Sequence, residues 1–287
     1  MSVVSGKIIF CEGKQTSLDF RLLNRVIDNF STNKPTIVPS GSKFTFLVFV
    51  EGYFSNDAVN NKQYIVFRDR DFDIKPTDNI ALIPLNSMLL THRACVENYL
   101  LNADLIHNYW ESKYIEKQNN PTSKWGHGDS PGIEAISAWI ESAAKSLQDY
   151  QTVRWALADL LQSSASRHQL KTTWTGGSGK LPSPLNLQYC ETKAIELINQ
   201  FHQAAATVTQ ERFAESMAIY QQQFSQENFW TSQQYLVWFH GKDIQKAMQQ
   251  QQSRYISLNP FFNWALDHID VNQYPDLIEL QNRISHL

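Results

Sequence analysis

Three cysteines in 287 residues, at positions 11, 95 and 190, leave no CxxC pair and no histidine at zinc spacing. A disulfide framework and a structural zinc are therefore not expected, and a reducing compartment fits. The chain also lacks a dominant charge. Its formal net charge of -3 argues against a sequence-independent nucleic-acid coat, which would be strongly basic. An enzyme that meets nucleic acid through a local basic groove remains compatible with it. No window approaches the ~18 apolar residues of a membrane span. The opening MSVVSGKIIFCEGK has too short an apolar run for a secretory signal, so a soluble cytoplasmic protein is expected.

What the chain does have is 42% hydrophobic residues, ordinary for a globular fold, and a change of character near residue 100. Lys7 to Cys11 reads as a buried strand, broken by Glu12-Gly13-Lys14. Ser17 to Phe30 spaces Leu18, Leu22, Leu23, Val26, Ile27 and Phe30 helically, with Asp19 in the first turn. PTIVP at 35–39, QYIVF at 63–67 and NIALIPL at 79–85 read as further strands, whereas Phe44 to Phe54 fits helix or strand equally. Strand, helix and strand in this order predict a small, mostly parallel α/β sheet flanked by helices.

From Ala94 the pattern turns helical. Ile133 to Leu161 follows a Ser130-Pro131 start signal, and amphipathic stretches cover 191–201, 211–224, 235–249 and 260–269. This predicts an α/β domain over 1–105 and a mainly α-helical domain over 106–287, with a hinge near 173–186. The Gly176-Gly177-Ser178-Gly179-Lys180-Leu181 run imitates a phosphate loop. It has leucine where Walker A needs serine or threonine, and no strand precedes it, so the chain is not an ATPase by that route.

Chemistry concentrates at the predicted strand ends. Glu12 follows the first strand, and Asp69 with Asp71 follow QYIVF. Ligands of open α/β sheets sit at the carboxyl ends of strands. Several carboxylates close together are costly without a cation, and hard oxygen donors select Mg²⁺ or Mn²⁺. Gly13 gives the backbone freedom to turn beside Glu12. The simpler alternatives are solvated acidic turns and, for Arg93 with Glu97, a helix-face ion pair at i,i+4.

The arrangement strand, Glu12-Gly13-Lys14, helix, strand, Asp69-Arg70-Asp71 resembles the Toprim fold of topoisomerases, primases and the overcoming-lysogenization-defect (OLD) nucleases. Thr91 to Leu101, THRACVENYLL, is similar to a segment of the small OLD-like Toprim proteins. Among these are stand-alone Toprim effectors of phage-defence systems such as PARIS. His240-Gly241-Lys242-Asp243 resembles a Gly-Lys element near the end of such proteins. Residues 6 to 105 carry most of the likeness. No topoisomerase tyrosine motif, zinc ribbon or helicase-like region accompanies it.

The resemblance implies a metal-dependent nuclease hydrolysing phosphodiester bonds in DNA or RNA, an antiviral effector controlled by an ABC-type ATPase encoded nearby. It implies Glu12, Asp69, Asp71 and Glu97 as ligands of Mg²⁺ or Mn²⁺, with Glu12 alternatively a general base. Lys242 would stabilise charge on the scissile phosphate, and Lys14, Arg70 and Arg93 would contact substrate. A homodimer fits the exposed glutamine-rich helices. The rival readings are an inactive Toprim-like docking module and a haloacid-dehalogenase-like phosphatase using Asp69 and Asp71, although Asp73 stands where that family expects threonine or valine.

Overall fold

The computed structural model describes residues 6–30, 33–41, 64–120, 122–163 and 186–287. The ambiguous 44–54 stretch, the Gly176 to Leu181 run and all but residue 186 of the expected hinge lie outside the described residues. Strand β1 (Ile8–Cys11) is buried along its whole length, as its unbroken apolar run requires. It leads to helix α1 (Leu18–Val26), capped by Ser17, whose Oγ accepts from Phe20 N at 3.4 Å. Leu22, Leu23 and Val26 form its buried face. Strand β2 (Thr36–Pro39) returns parallel to one side of β1, and β3 (Tyr64–Arg68) lies parallel on the other side.

The expected 79–85 strand is two-part. Only Ile83–Leu85 is extended, as β4, and it turns at Asn86 and Ser87 into an antiparallel partner β5 (Met88–Leu90). Asn86 adopts a positive φ of 54°, the left-handed conformation that asparagine tolerates in turns. The five-stranded sheet has order β2-β1-β3-β5-β4 and is parallel except at the β4 edge. Ile8, Phe10, Val66, Ile83, Met88 and Leu90 pack into one core cluster on it.

Helix follows sheet. α2 (Val96–Leu100) is short and buried at every position, and α1 packs against it. After it come α3 (Ala103–Asn119) and α4 (Ile133–Ser146). The apolar pattern predicted across 133–161 is interrupted at Leu147, the C-cap of α4, and α5 (Gln148–Ser163) follows. Ser130 is not the cap of α4. That position is Gly132 at φ 90°, and Ser130 Oγ instead accepts from Gly132 N at 3.3 Å.

α6 (Leu187–Ala205), α7 (Gln210–Phe224) and α8 (Glu227–Thr231) continue the chain. The 235–249 pattern divides into α9 (Tyr235–Trp238) and α10 (Gly241–Gln251) around Phe239 and His240. α11 (Leu258–His268), a 3₁₀ turn at Val271–Gln273 and α12 (Pro275–Ser285) complete it. No helix among the described residues is long and apolar enough to cross a membrane.

Two compact units result, residues 1–148 with 228–287, and residues 149–227. The unit that holds the sheet is thus larger than 1–105, because the last helices return to it. α9, α10 and α11 pack on α2, and α11 and α12 pack on α1. The second unit is held by Trp155 against Tyr220, with ring centroids 5.8 Å apart, and by Asp159, which accepts from Ser216 Oγ at 2.7 Å and Tyr220 Oη at 2.9 Å.

Candidate metal centre

β1 and β3 are the strands between which the chain reverses its direction of winding, since β2 lies to one side of β1 and the later described strands to the other. That is the switch point at which open α/β sheets leave a crevice beyond the strands' carboxyl ends. Glu12 follows one of these strands and Asp69 the other. Gly13, at φ 84°, bonds through its N–H to Gly41 O at 2.7 Å, and a Cβ there would meet Ser17 Oγ at 2.6 Å. Only glycine lets the chain turn this tightly from β1 into α1.

Glu12 Oε1 stands 3.8 Å from Arg68 Nε, and the same guanidinium pairs with Asp73. Arg68 is 4% exposed, so it serves as a buried counter-ion between these two carboxylates. Asp69, itself buried, accepts from Val96 N at 3.0 Å through Oδ1, which ties the end of β3 to α2. Asp71 sits at φ 49°, donates its N–H to Ala94 O at 2.8 Å, and places Oδ1 3.2 Å from His240 Nε2. His240 Nδ1 is 4.0 Å from Cys95 Sγ.

The tightest convergence is Asp69, Cys95 and Glu97, all buried, whose ligand atoms lie within 4.8 Å of one another. Lys242 Nζ approaches Glu97 Oε1 at 3.7 Å. Asp19, from the first turn of α1, shares this field. Burial and the Glu97 charge push its carboxyl up from 3.8 to about 6, with Lys242 acting in the opposite direction. Burial, then Asp19, Glu97 and Asp71, hold Asp69 well above the usual carboxylate range. Burial pulls Lys242 down, but Glu97 and Asp69 outweigh it and hold the ammonium above its ordinary range. The Cys95 thiol is raised well above 9.0 by burial and then by Glu97 and Asp69.

This donor set suits a divalent cation. Asp69 and Glu97 offer hard oxygens, and Glu97 Oε2 and Asp19 Oδ1 are buried with no hydrogen-bond partner among the described residues. Carboxyl groups whose ionisation is opposed by burial and by one another become favourable anions once a cation is bound. Cys95 contributes differently. Its Sγ donates to Asn98 Oδ1 at 3.0 Å, so the protonated thiol is already engaged, and only a softer ion would recruit it as thiolate.

Asn98 fixes the frame. Its Oδ1 also accepts from Cys95 N at 3.1 Å and Gly241 N at 2.9 Å, while its Nδ2 donates to Phe239 O at 2.9 Å. A Cβ on Gly241 would lie 2.7 Å from Asn98 Oδ1 and 2.8 Å from Asn98 N, so the Gly-Lys element needs its glycine for close approach. Behind α2, Asp276 of α12 accepts from His92 N at 3.1 Å and from the Tyr99 hydroxyl.

Of the residues expected in the site, Asp69, Glu97 and Lys242 come together, with Asp71 close enough to act on Asp69 electrostatically. Glu12 is held at the neighbouring strand end by Arg68. Arg70 is not available to a phosphate, because it is fully buried and donates to the carbonyls of His92, Ile74 and Val237 at 3.1, 2.8 and 2.5 Å. Arg93 donates to Asn98 O at 2.6 Å and lies over the Tyr99 and Tyr274 rings. Lys14 is exposed beside Gly13. Sequence reasoning missed Asp19, Cys95, Asn98 and Asp276. Asp19 carried the ordinary signature of a helix first turn, and Cys95 lacked the spacing of a metal motif. Neither a scan of protein-family models nor a search of curated proteins finds a match for this chain.

Proposed function

We propose that the chain is a divalent-metal-dependent nuclease of the Toprim type, hydrolysing phosphodiester bonds in DNA or RNA. The observation that carries this reading is the convergence of buried Asp69 and Glu97 at the switch point of a parallel sheet, with Lys242 as the cation beside them. Asp69 and Glu97 would hold Mg²⁺ or Mn²⁺, with Asp19 and Asp71 adding negative charge nearby. A bound ion would polarise the phosphoryl oxygen and favour ionisation of the attacking water.

The chain's own groups supply the rest. Arg68 orients Glu12 at the rim, where it can take a proton from water. Asp71 holds the His240 imidazole by its Nε2. Lys242, about half exposed, presents an ammonium to charge gathering on the phosphate. Hydrolysis adds water oxygen to phosphorus, and the departing sugar oxygen leaves with a proton. The sequence resemblance extends the proposal to an antiviral effector restrained by a partner ATPase.

The test is cleavage of labelled single- and double-stranded DNA and RNA with Mg²⁺ or Mn²⁺, comparing wild type with Asp69→Asn and Glu97→Gln. Cleavage that requires the ion and disappears in both variants supports the reading. Equal cleavage by all three proteins, or none under any condition including co-expression with whatever ATPase is encoded nearby, leaves the docking-module alternative standing.

A further inference from the structure

A cavity of about 440 Å³ lies within the unit that holds the sheet, lined by residues drawn from 76–80, 92–93, 228–238 and 273–276. Its size falls within the roughly 300–1,000 Å³ usual for small-molecule sites. None of the candidate metal-centre carboxylates lines it.

The wall contains a polar group that the fold does not satisfy. His92 is 5% exposed, and its Nδ1 has no hydrogen-bond partner among the described residues. A buried ring nitrogen left open is costly, and a turn of the ring toward the cavity would let a ligand bond to it. Burial, with Arg70 and Arg93 nearby, lowers the His92 pKa against the pull of Asp276. The imidazole is therefore neutral at neutral pH, with one nitrogen to donate and one to accept.

The other lining groups narrow the chemistry. Asn228, Gln233 and Gln234 bring amides, each able to donate and accept in one plane, while Trp238 and Tyr274 bring aromatic rings, that of Tyr274 with the Arg93 guanidinium over it. Tyr274 is held in place by its hydroxyl, which donates to Tyr99 O at 2.9 Å. The charged lining groups are Arg93, Asp78 and Asp276, a net of one negative charge, which disfavours an anion as the recognised moiety. Planar amides reading edges, with aromatic rings against faces, is the way proteins hold nucleobases.

We propose that this cavity binds a nucleobase, taken either from a free nucleoside or from a base turned out of a nucleic-acid strand. The inference does not rest on hydrolysis, because binding needs no metal. The cavity does share its supports with the metal centre. Arg70 bridges His92 O and Val237 O, and Arg93 donates to the carbonyl of Asn98.

The test uses the full chain in EDTA, so that cleavage plays no part. Adenosine, guanosine, cytidine, uridine and a mixed-sequence single-stranded oligonucleotide are titrated by calorimetry and by saturation-transfer NMR. At least one nucleoside should bind saturably with Kd below about 1 mM. Trp238→Ala and His92→Phe should weaken it about tenfold or more, the loss expected on removing a stacking face or a base-edge bond. Because both positions also support the fold, Ser232→Trp provides a second block. Ser232 is an exposed lining residue bonded to Asn228 at 2.7 Å, so a large side chain there fills the cavity without entering the core.

Loss of both nucleoside and oligonucleotide binding in Ser232→Trp assigns the base to a strand. Loss of nucleoside binding alone assigns it to a free nucleoside. No saturable binding of any of the five probes, or affinities unchanged in Ser232→Trp, overturns the proposal.

Discussion

The side-chain oxygen of Asn98 lies 2.9 Å from the backbone nitrogen of Gly241, across 143 residues of sequence. That contact is the joint between the helix bearing Cys95 and Glu97 and the helix bearing Lys242. The same oxygen accepts from Cys95 N and Sγ, so one buried amide sets the start of both helices. Gly241→Ala puts a Cβ into Asn98, and overpacking of this kind costs about 1–3 kcal/mol. Urea denaturation should show that loss, with Mn²⁺ affinity falling if the strain on Asn98 displaces Glu97 on the same short helix. Asn98→Ala orphans buried donors and should cost more than Gly241→Ala. A Gly241→Ala protein as stable as wild type would show that the backbone there has room the structure denies.

The acidic cluster predicts how the metal-free protein responds to pH. Asp19 is raised from 3.8 to about 6 and Asp69 is raised in the same sense, by burial first and neighbouring carboxylates second. A carboxyl raised in the folded state holds its proton more tightly than the unfolded chain does. The stability it contributes is complete below about pH 4 and is lost as pH rises through about 6. Asp19→Asn should therefore gain thermal stability over wild type as pH goes from 4 to 7, with little difference at the acid end. Asp69→Asn should show the same sign, partly offset by the bond from Val96 N. Thermal melts across this range in EDTA decide it, and a constant difference between variant and wild type would contradict the coupling.

Metal binding should run the other way. A cation that binds only the folded protein stabilises it by mass action, about 2.7 kcal/mol at one hundred times Kd. Mg²⁺ or Mn²⁺ should raise the wild-type melting temperature most near pH 7 and leave Glu97→Gln almost unmoved. Cys95→Ser should keep the Mn²⁺ response, since Asp69 and Glu97 are the hard donors, but should weaken any response to Zn²⁺. A Mn²⁺ response that vanished in Cys95→Ser and persisted in Glu97→Gln would invert the donor assignment.

How far these residues could be read in advance depended on whether their partners were local. The run from Ile8 to Cys11 and the glycine after it state a buried strand and a turn in adjacent letters, and the α/β sheet follows from a few such runs. Glu12 and Asp69 were legible for the same reason, being the first acidic residues after apolar strands. Asp19 was not, because its first-turn position looks identical whether the carboxylate faces solvent or a cluster, and Glu97 and Lys242 decide which. Cys95 and Asn98 acquire their roles only when Phe239 to Lys242 arrive from far along the chain. Arg70 misled for a complementary reason. An arginine between two aspartates suggests anion binding, whereas the carbonyls that occupy it belong to residues 74, 92 and 237.

The cysteines supply an independent check on the packing. Cys11 and Cys95 are both fully buried, and burial foremost pushes the Cys11 thiol up to about 12. The thiolate is the reactive form, so neither should react while the protein is folded. Cys190, on α6, is the half-buried one. An aromatic disulfide reagent should titrate one thiol per native chain and three after unfolding. Two fast thiols in the native protein would mean that Cys11 or Cys95 is accessible.

Arg70 and Lys14, both expected to touch substrate, should separate in mutation. Arg70 is fully buried, and burial pulls its guanidinium down to about 10 even though nearby acidic groups oppose this. Its donors hold carbonyls of three different segments. Lysine has neither the reach nor the fork to replace them. Arg70→Lys should therefore cost about 3 kcal/mol or more in urea denaturation, the scale for a disrupted buried network. Lys14 is exposed at the rim beside Glu12, so Lys14→Ala should leave stability unchanged. In nucleic-acid binding it should lower affinity evenly across sequences and reduce the salt slope by about one. Measuring both variants by denaturation and by salt-dependent binding separates the roles. A stable Arg70→Lys protein with a reduced salt slope would return Arg70 to the substrate surface, against the hydrogen bonds that hold it inside.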